Sequence, residues 1–236
     1  DIFTTLAIAS IIMPALTGII ADRWINAERL YGVLHILYGG FLFYVTQVHD
    51  ADTLYYVILG AMLCYMPTIS LSNSISYAIL KREGYDVVKV FPPIRVWGTI
   101  GFIAAMWTTN LSGSKANTDQ FMIGAVGAIL LGIYSFTLPK CPPQRSISTH
   151  ASMLEQLGLK AFTLFAKHKM ALFFIFSMCL GAALQLTNMY GDVFLDDFRK
   201  VPKYGPESFV VKNSTIIMSI SQISESLFIL AIPFFL

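Results

Sequence analysis

Residues 53–80 read TLYYVILGAMLCYMPTISLSNSISYAIL, a run of 28 residues that contains no Asp, Glu, Lys or Arg. An α-helix rises about 1.5 Å per residue, so about 20 apolar residues cross the roughly 30 Å hydrocarbon core of a bilayer. The run is long enough to cross a membrane once as a helix. It therefore predicts a transmembrane span.

Six more runs of this kind occupy most of the remaining chain. Five are free of charge, and the last is interrupted only by Glu225: 2–21, 30–49, 96–114, 120–139, 170–191 and 213–236. Charged residues make up 13% of the 236 residues, about half of what ordinary soluble domains carry. Buried helices of a large soluble protein would need polar helices to cover them, and the chain has none to spare. We therefore predict an all-α polytopic membrane protein with about seven spans.

The lysines and arginines of the connecting segments are unevenly divided between the two sides. Ten lie in one set of alternate connections and five in the other. Because cytoplasmic loops carry the excess of Lys and Arg, the side with ten is predicted to be cytoplasmic. The net charge of +2 gives no reason to expect a nucleic-acid partner.

One connection, 139–169, is much longer than the others. It contains Pro142 and Pro143, and an amphipathic stretch from Met153 to Phe165 is expected at the cytoplasmic interface. Five runs precede it and two follow, as in transporters built from two repeats of six helices. This predicts an N-terminal helical half at 1–138, a cytoplasmic linker at 139–169 and the start of a C-terminal half at 170–236. One helix would then precede Asp1, and four would follow Leu236.

The first run ends in Gly18-Ile19-Ile20-Ala21-Asp22-Arg23. Gly18 allows close helix approach, and Asp22 can hold neighbouring helix ends electrostatically, a lock that opens when two halves rock. The alternative is a polar helix end followed by Arg23 as a cytoplasmic positive charge. In this position we interpret Gly18, Asp22 and Arg23 as gating residues.

Two ionisable residues are predicted inside spans, where charge is costly and function is the default hypothesis. Glu225 lies in the middle of the last run, three residues after Gln222, so both share one helix face. We interpret Glu225 as a carboxylate that binds a proton or a substrate. The alternative is a protonated side chain that bonds to a neighbouring helix.

The second ionisable residue is Arg95. Residues 96–109 alone would be too short to cross, so this span is expected to begin near Phe91, with Pro92 and Pro93 in its first turn. Arg95 then shares a face with Thr99 and Phe102, which offers a donor, a hydroxyl and an aromatic ring. The alternative is that Arg95 snorkels to the cytoplasmic headgroups.

A third polar face lies in the sixth run, where Gln185 and Asn188 are three residues apart. Carboxamides in a membrane helix also bond between helices, so a packing role stays open. Three faces on three spans nevertheless suggest one shared polar cavity. Cys64, Cys141 and Cys179 form no metal-binding pair, and no catalytic motif is present, so we expect no metal site and no enzyme.

Three stretches carry a family resemblance: Met-Pro-Ala-Leu-Thr-Gly-Ile-Ile-Ala-Asp at 13–22, Phe-Pro-Pro-Ile-Arg-Val-Trp-Gly-Thr-Ile-Gly-Phe at 91–102, and Ser-Ile-Ser-Gln-Ile-Ser-Glu at 219–225. They resemble the nucleoside:proton symporter family of the major facilitator superfamily, over the second to the eighth of its twelve helices. The resemblance implies proton-coupled nucleoside uptake by alternating access across the bacterial cytoplasmic (inner) membrane. It also implies a monomer whose partners are a nucleoside, protons and the lipid bilayer, with the proton gradient in place of a cofactor.

The resemblance further implies substrate contacts on each of the three faces. Phe102 would stack on the base, and the amides and the carboxylate would bind ribose hydroxyls, with Glu225 also coupling the proton. A facilitator for another small polar solute such as a sugar, or a seven-helix ligand-binding receptor, are the alternatives. The implied contacts are Arg95, Thr99, Phe102, Gln185, Asn188, Gln222 and Glu225.

Overall fold

The computed structural model describes residues 2–114, 117–143, 159–201, 205 and 208–235. Every regular element in these ranges is helical. We label the seven long helices in chain order: α1 (Phe3–Arg23), α2 (Ala27–Val45), α3 (Ala51–Arg82), α4 (Val87–Leu111), α5 (Asp119–Ser135), α6 (His168–Asp197) and α7 (Ser214–Phe235). Each helix coincides with one of the runs read from the sequence, so the all-α prediction is confirmed.

Five of these helices, α1, α3, α4, α6 and α7, are long and apolar enough to cross a membrane. The other two fall short for different reasons. Glu28, Arg29 and His35 lower the mean hydropathy of α2, and α5 has 17 residues, about 25 Å of helix. The charge-free run of α5 extends to residue 139, but Pro139 disfavours helical backbone before it and the helix stops at Ser135.

The start of α4 differs from the expectation. The helix begins at Val87 instead of near Phe91, so Pro92 and Pro93 lie in its second turn. A proline cannot donate to the carbonyl four residues earlier, and the carbonyls concerned here are those of Val88 and Lys89, at the very start of the helix. Arg95 therefore lies about two turns inside α4 rather than one.

The chain forms two compact units. The first contains Asp1–Val87 and Ala116–Leu159, and the second contains Val88–Lys115 and Lys160–Leu236. Helix α4 thus clusters with α6 and α7, although the linker at 139–169 follows it in the chain. The division into an N-terminal half at 1–138 and a C-terminal half from 170 stays a prediction.

In the first unit, helix α2 packs closely on α5 through glycines. A Cβ atom on Gly32 would lie 2.9 Å from the carbonyl oxygen of Gly132, and a Cβ on Gly132 would lie 2.9 Å from the carbonyl oxygen of Gly32. A Cβ on Gly39 would lie 2.9 Å from the carbonyl oxygen of Ala125. Small residues let membrane helices approach until their backbones touch, so these glycines set the distance between α2 and α5.

Much of the predicted amphipathic stretch, Met153 to Phe165, lies outside the described residues. Its last part belongs to a 3-10 helix, Leu159–Ala166. In the second unit, α6 is followed by a 3-10 turn at Phe198–Lys200 and then by a one-turn helix, Phe209–Lys212. The chain reverses there, so the end of α6 lies beside the start of α7.

Candidate functional site

All seven predicted substrate-contact residues lie on three helices of the second unit. Helix α4 carries Arg95, Thr99 and Phe102, α6 carries the two carboxamides, and α7 carries Gln222 and Glu225. The three polar faces therefore belong to one compact body, as a shared cavity requires. The roles of the individual residues stay predictions.

On α4, the Thr99 side chain is buried, with 3% of its surface exposed. A long hydrogen bond of 3.5 Å joins Arg95 Nη1, the donor, to Thr99 Oγ1 one turn later. Arg95 and Phe102 are exposed among the described residues. Residues 95 and 99 therefore act as one polar pair, and Phe102 presents its ring from the next turn.

On α6 and α7, the polar residues differ in burial. Gln222 is 7% exposed, whereas Glu225 and Gln185 are partly buried and Asn188 is exposed. The backbone carbonyl of Gln222 accepts a hydrogen bond of 3.0 Å from Ser226 Oγ. Together the two helices offer amide donors, amide acceptors and one carboxylate, which suits a ligand rich in hydroxyl groups.

Two hydrogen bonds join α4 to α7 and to Asn213, the residue just before α7. Trp107 Nε1 donates to Ser219 Oγ at 2.9 Å, and Asn110 Nδ2 donates to Asn213 Oδ1 at 3.3 Å. Ser219 is 1% exposed, whereas Trp107 is 42% exposed, so the bond is partly buried. Sequence reasoning missed these residues because a lone Trp or Ser in a span is ordinary.

A further tie joins α6 to α7. Asp192 Oδ1 accepts hydrogen bonds from Ser214 Oγ at 2.7 Å and from Thr215 Oγ1 at 3.0 Å. The sixth charge-free run ends at residue 191, so the sequence placed Asp192 in the loop that follows. Helix α6 in fact continues to Asp197, so Asp192 lies within this helix.

These ties place the predicted contacts at similar depths. Gln185 lies seven residues before Asp192, and Gln222 lies seven residues after Thr215. Both therefore lie about 10 Å along their helices from the hydrogen bond between Asp192 and Thr215. Two other residues are placed by the hydrogen bond between Trp107 and Ser219. Phe102 lies five residues before Trp107, about 7.5 Å along α4, and Glu225 lies six residues after Ser219, about 9 Å along α7. Ser219 itself lies four residues, about 6 Å, beyond Thr215, so Phe102 and Glu225 lie about 3–5 Å deeper than Gln185 and Gln222. Arg95 lies roughly 10 Å further than Phe102 toward the predicted cytoplasmic side.

The predicted gating residues lie at the end of α1, in the other unit. Asp22 and Arg23 are exposed, and a Cβ on Gly18 would have no neighbour within 4 Å. The Asp22 carboxylate makes no hydrogen bond or ion pair with another described residue. Close helix approach in this unit occurs instead at Gly32, Gly39 and Gly132. The gating role of Gly18, Asp22 and Arg23 stays a prediction.

Sequence reasoning also missed a buried acid in the first turn of α2. Glu28 is 2% exposed, and its carboxylate accepts bonds from Asn26 Nδ2 at 3.0 Å and from the backbone N–H of Cys141 at 2.9 Å. The Ala27 N–H donates to the Cys141 carbonyl at 3.2 Å, and Arg82 Nη1 donates to the Lys140 carbonyl at 2.8 Å. The segment that leaves α5 is thereby fastened to α2 and α3.

The Cys141 thiol beside Glu28 gives a testable consequence. Burial, and then the Glu28 carboxylate, raise the pKa of this thiol, while Arg82 partly offsets the increase. Only the thiolate reacts with alkylating agents, so a raised pKa means slow alkylation at neutral pH. The alkylation rate should also keep rising at pH values where the rate of an ordinary thiol no longer increases. Glu28→Gln removes one cause, and we expect it to speed N-ethylmaleimide labelling of Cys141 at pH 7.5.

The labelling is measured by peptide mass spectrometry on the full-length protein. Asp22→Asn, which neutralises an exposed acid on the neighbouring helix, serves as the control and should leave the rate unchanged. Equal labelling rates in the Glu28→Gln variant and the unsubstituted protein would contradict this account of the α2–Cys141 contact.

Among the described residues, no group of three or more His, Cys, Asp or Glu side chains is placed to hold a metal ion. The side chains of the three faces can form hydrogen bonds, stack on a flat ring and bind a proton. These are the means by which proteins recognise small polar solutes with flat rings.

Comparison with known proteins gives a consistent result. The family model described as nucleoside H+ symporter matches residues 2–236. Xanthosine permease of Escherichia coli K12 is 47% identical over 235 residues, and nucleoside permease NupG of the same strain is 48% identical over 235 residues. Each alignment covers 100% of this chain but 56% of the relative.

The structural likeness is equally extensive. A crystal structure of a mutant of the nucleoside transporter NupG matches with a TM-score of 0.85 and 48% identity, covering 99% of this chain and 58% of that one. A second NupG crystal structure matches with a TM-score of 0.79. The chain spans a little over half the length of these relatives.

Proposed function

Because the chain belongs to the nucleoside H+ symporter family, we propose that the whole protein takes up nucleosides together with protons by alternating access. The observation that carries the proposal is the gathering of three polar faces in one unit, with Glu225 within a membrane helix. Relatives named nucleoside and xanthosine permease support the substrate class.

The fold and the location that this function requires are established. The likeness to NupG confirms the predicted all-α membrane fold of the major facilitator superfamily. The five apolar helices of spanning length agree with an integral protein of the cytoplasmic membrane. Proteins of this fold move solutes by rocking two helical bodies around a site near the bilayer midplane.

The chemistry of each face suits one part of a nucleoside. Phe102 offers a flat ring for stacking on the base. Gln185, Asn188 and Gln222 offer amides that can donate to and accept from ribose hydroxyls. Arg95, which lies one turn before Thr99 on α4, offers donors for carbonyl or ring-nitrogen acceptors of the base.

Glu225 supplies the coupling in this proposal. Charge inside a bilayer costs several kcal/mol, so a proton that neutralises Glu225 favours any rearrangement in which this side chain loses water. Binding of the proton from outside and its release inside would then drive the nucleoside inward. The electrochemical gradient of protons is the energy source, no cofactor takes part, and a single copy of the protein holds the complete site.

The substrate class is tested by competition. The full-length protein, expressed in bacteria that lack their own nucleoside transporters, should take up radiolabelled uridine or adenosine. We expect a hundredfold excess of unlabelled nucleoside to suppress this uptake by about 90% or more, since one site is shared. An equal excess of glucose or xylose should leave it unchanged.

Two results would contradict the proposal. Suppression by sugars but not by nucleosides would identify a sugar facilitator on the same scaffold. Binding of uridine without any transport, measured in proteoliposomes that contain only this protein, would identify a ligand-binding receptor.

A further inference from the structure

We propose that Asp192 is a positioning residue that sets the register between the polar faces of α6 and α7, and thereby the nucleoside affinity. The inference rests on the proposed function but assigns a role to a residue outside the predicted site. It starts from the two hydrogen bonds that Asp192 Oδ1 accepts, from Ser214 Oγ at 2.7 Å and Thr215 Oγ1 at 3.0 Å.

One of the two donors to Asp192 is buried at the start of α7. Ser214 is 0% exposed, and it is the first residue of α7. A carboxylate beside the N-terminus of a helix also interacts favourably with the helix dipole. Hydrogen bonds to charged groups are stronger than neutral ones, so this contact holds the beginning of α7 firmly against α6.

Asp192 and Thr215 lie on the same helix faces as the polar residues of the candidate site. Asp192 follows Gln185 by seven residues and Asn188 by four, so the three lie along one face of α6. Thr215 precedes Gln222 by seven residues and therefore lies on the same face of α7 as the buried amide. A single tie between Asp192 and Thr215 thus brings the two polar faces toward each other at equal depth.

Helices α6 and α7 also pack closely beside the hydrogen bonds of Asp192. A Cβ atom on Gly191 would lie 2.8 Å from Met218 Sδ, so α6 and α7 touch one residue away from Asp192. Close packing resists lateral movement, but a methionine side chain is flexible and adapts to new neighbours. The hydrogen bonds of Asp192, rather than this apolar contact, therefore select one register.

The consequence of losing the tie follows from helix geometry. A slip of α6 by one turn along α7 moves Gln185 by about 5.4 Å relative to Gln222, which is more than the length of a hydrogen bond. Trp107–Ser219 would still hold α7 to α4, so the helix would remain packed while its alignment with α6 varied. Nucleoside binding should weaken, and the transport cycle itself should continue.

The test measures initial rates of uridine uptake by the full-length protein over a range of uridine concentrations. Asp192→Ala should raise KM about tenfold, the effect of losing a charged hydrogen bond, with the maximal rate per transporter changed less than about twofold. Asp192→Asn keeps an acceptor oxygen and should restore KM to within about threefold of the unsubstituted value.

Substitution of the two donors keeps the test decisive if Asp192→Ala fails to reach the membrane. Ser214→Ala combined with Thr215→Val removes the donors instead and should raise KM to a similar degree. Adding Asp192→Ala to that pair should raise KM by less than the product of the two separate effects, because both changes remove the same interaction. Asp197→Asn, at an exposed acid paired with Lys200 at 2.7 Å, is the matched control and should leave KM unchanged.

The outcomes separate this inference from the function on which it rests. An unchanged KM in both the Asp192→Ala and the Ser214→Ala/Thr215→Val proteins would overturn the role of Asp192 while leaving nucleoside transport intact. So would a fall in maximal rate with an unchanged KM, which indicates a general structural role. Absence of uridine uptake by the unsubstituted protein would overturn the proposed function and this inference together.

Discussion

Glu225→Gln should abolish the concentrative accumulation of nucleoside by the full-length protein, so that the internal concentration does not exceed the external one. The substitution keeps the shape and hydrogen-bonding capacity of the side chain but removes its ability to take up and release a proton. Exchange of labelled for unlabelled nucleoside needs no net proton movement and should persist. Accumulation and exchange are measured with radiolabelled uridine in the same vesicles.

The control for this prediction lies one residue away. Ser224 is exposed on the same helix, and Ser224→Ala should leave both accumulation and exchange unchanged. Accumulation by the Glu225→Gln protein equal to that of the unsubstituted protein would remove Glu225 from the coupling mechanism. Loss of exchange as well as accumulation would assign Glu225 to substrate binding alone.

Gly132→Leu should destabilise the first unit more than any other single change considered. A side chain at this position meets the backbone of α2, because even a Cβ atom would lie 2.9 Å from the Gly32 carbonyl oxygen and 3.1 Å from the Ile36 nitrogen. Overpacking of a tight contact costs about 1–3 kcal/mol or more, and backbone atoms cannot rotate away. We expect a clear fall in the Tm of the purified full-length protein in detergent.

The same helix provides the matched control. A Cβ on Gly127 would have no neighbour within 4 Å, so Gly127→Leu should change stability by no more than about 0.5 kcal/mol. Equal Tm values for Gly132→Leu and the unsubstituted protein would contradict the glycine-mediated contact between α2 and α5.

The helices could be predicted from sequence because charge is excluded from the bilayer core. Each charge-free run became a helix, and the break at Glu225 did not interrupt α7. Helix ends were harder to predict. A charge-based boundary ended the sixth run before Asp192, yet α6 continues to Asp197, and the Asp192 carboxylate accepts hydrogen bonds from Ser214 and Thr215 of α7.

The candidate site could be predicted only in part. The spacing of Arg95, Thr99, Gln222 and Glu225 identified helix faces, since residues three or four apart lie together. Which helices meet depends on contacts between residues far apart in the chain, such as Trp107 with Ser219, and periodicity within one helix contains no information about them. The buried Glu28 was missed for the same reason, because its partner Cys141 is 113 residues away.

Proton coupling is the central claim, and it is tested most directly with the full-length protein in proteoliposomes under an imposed pH gradient. With the interior alkaline, we predict that uridine accumulates above its external concentration and that protons enter with it. An uncoupler should then return the internal concentration to the external value. Uridine uptake that reaches the same level with and without the pH gradient, and that an uncoupler leaves unchanged, would contradict the claim.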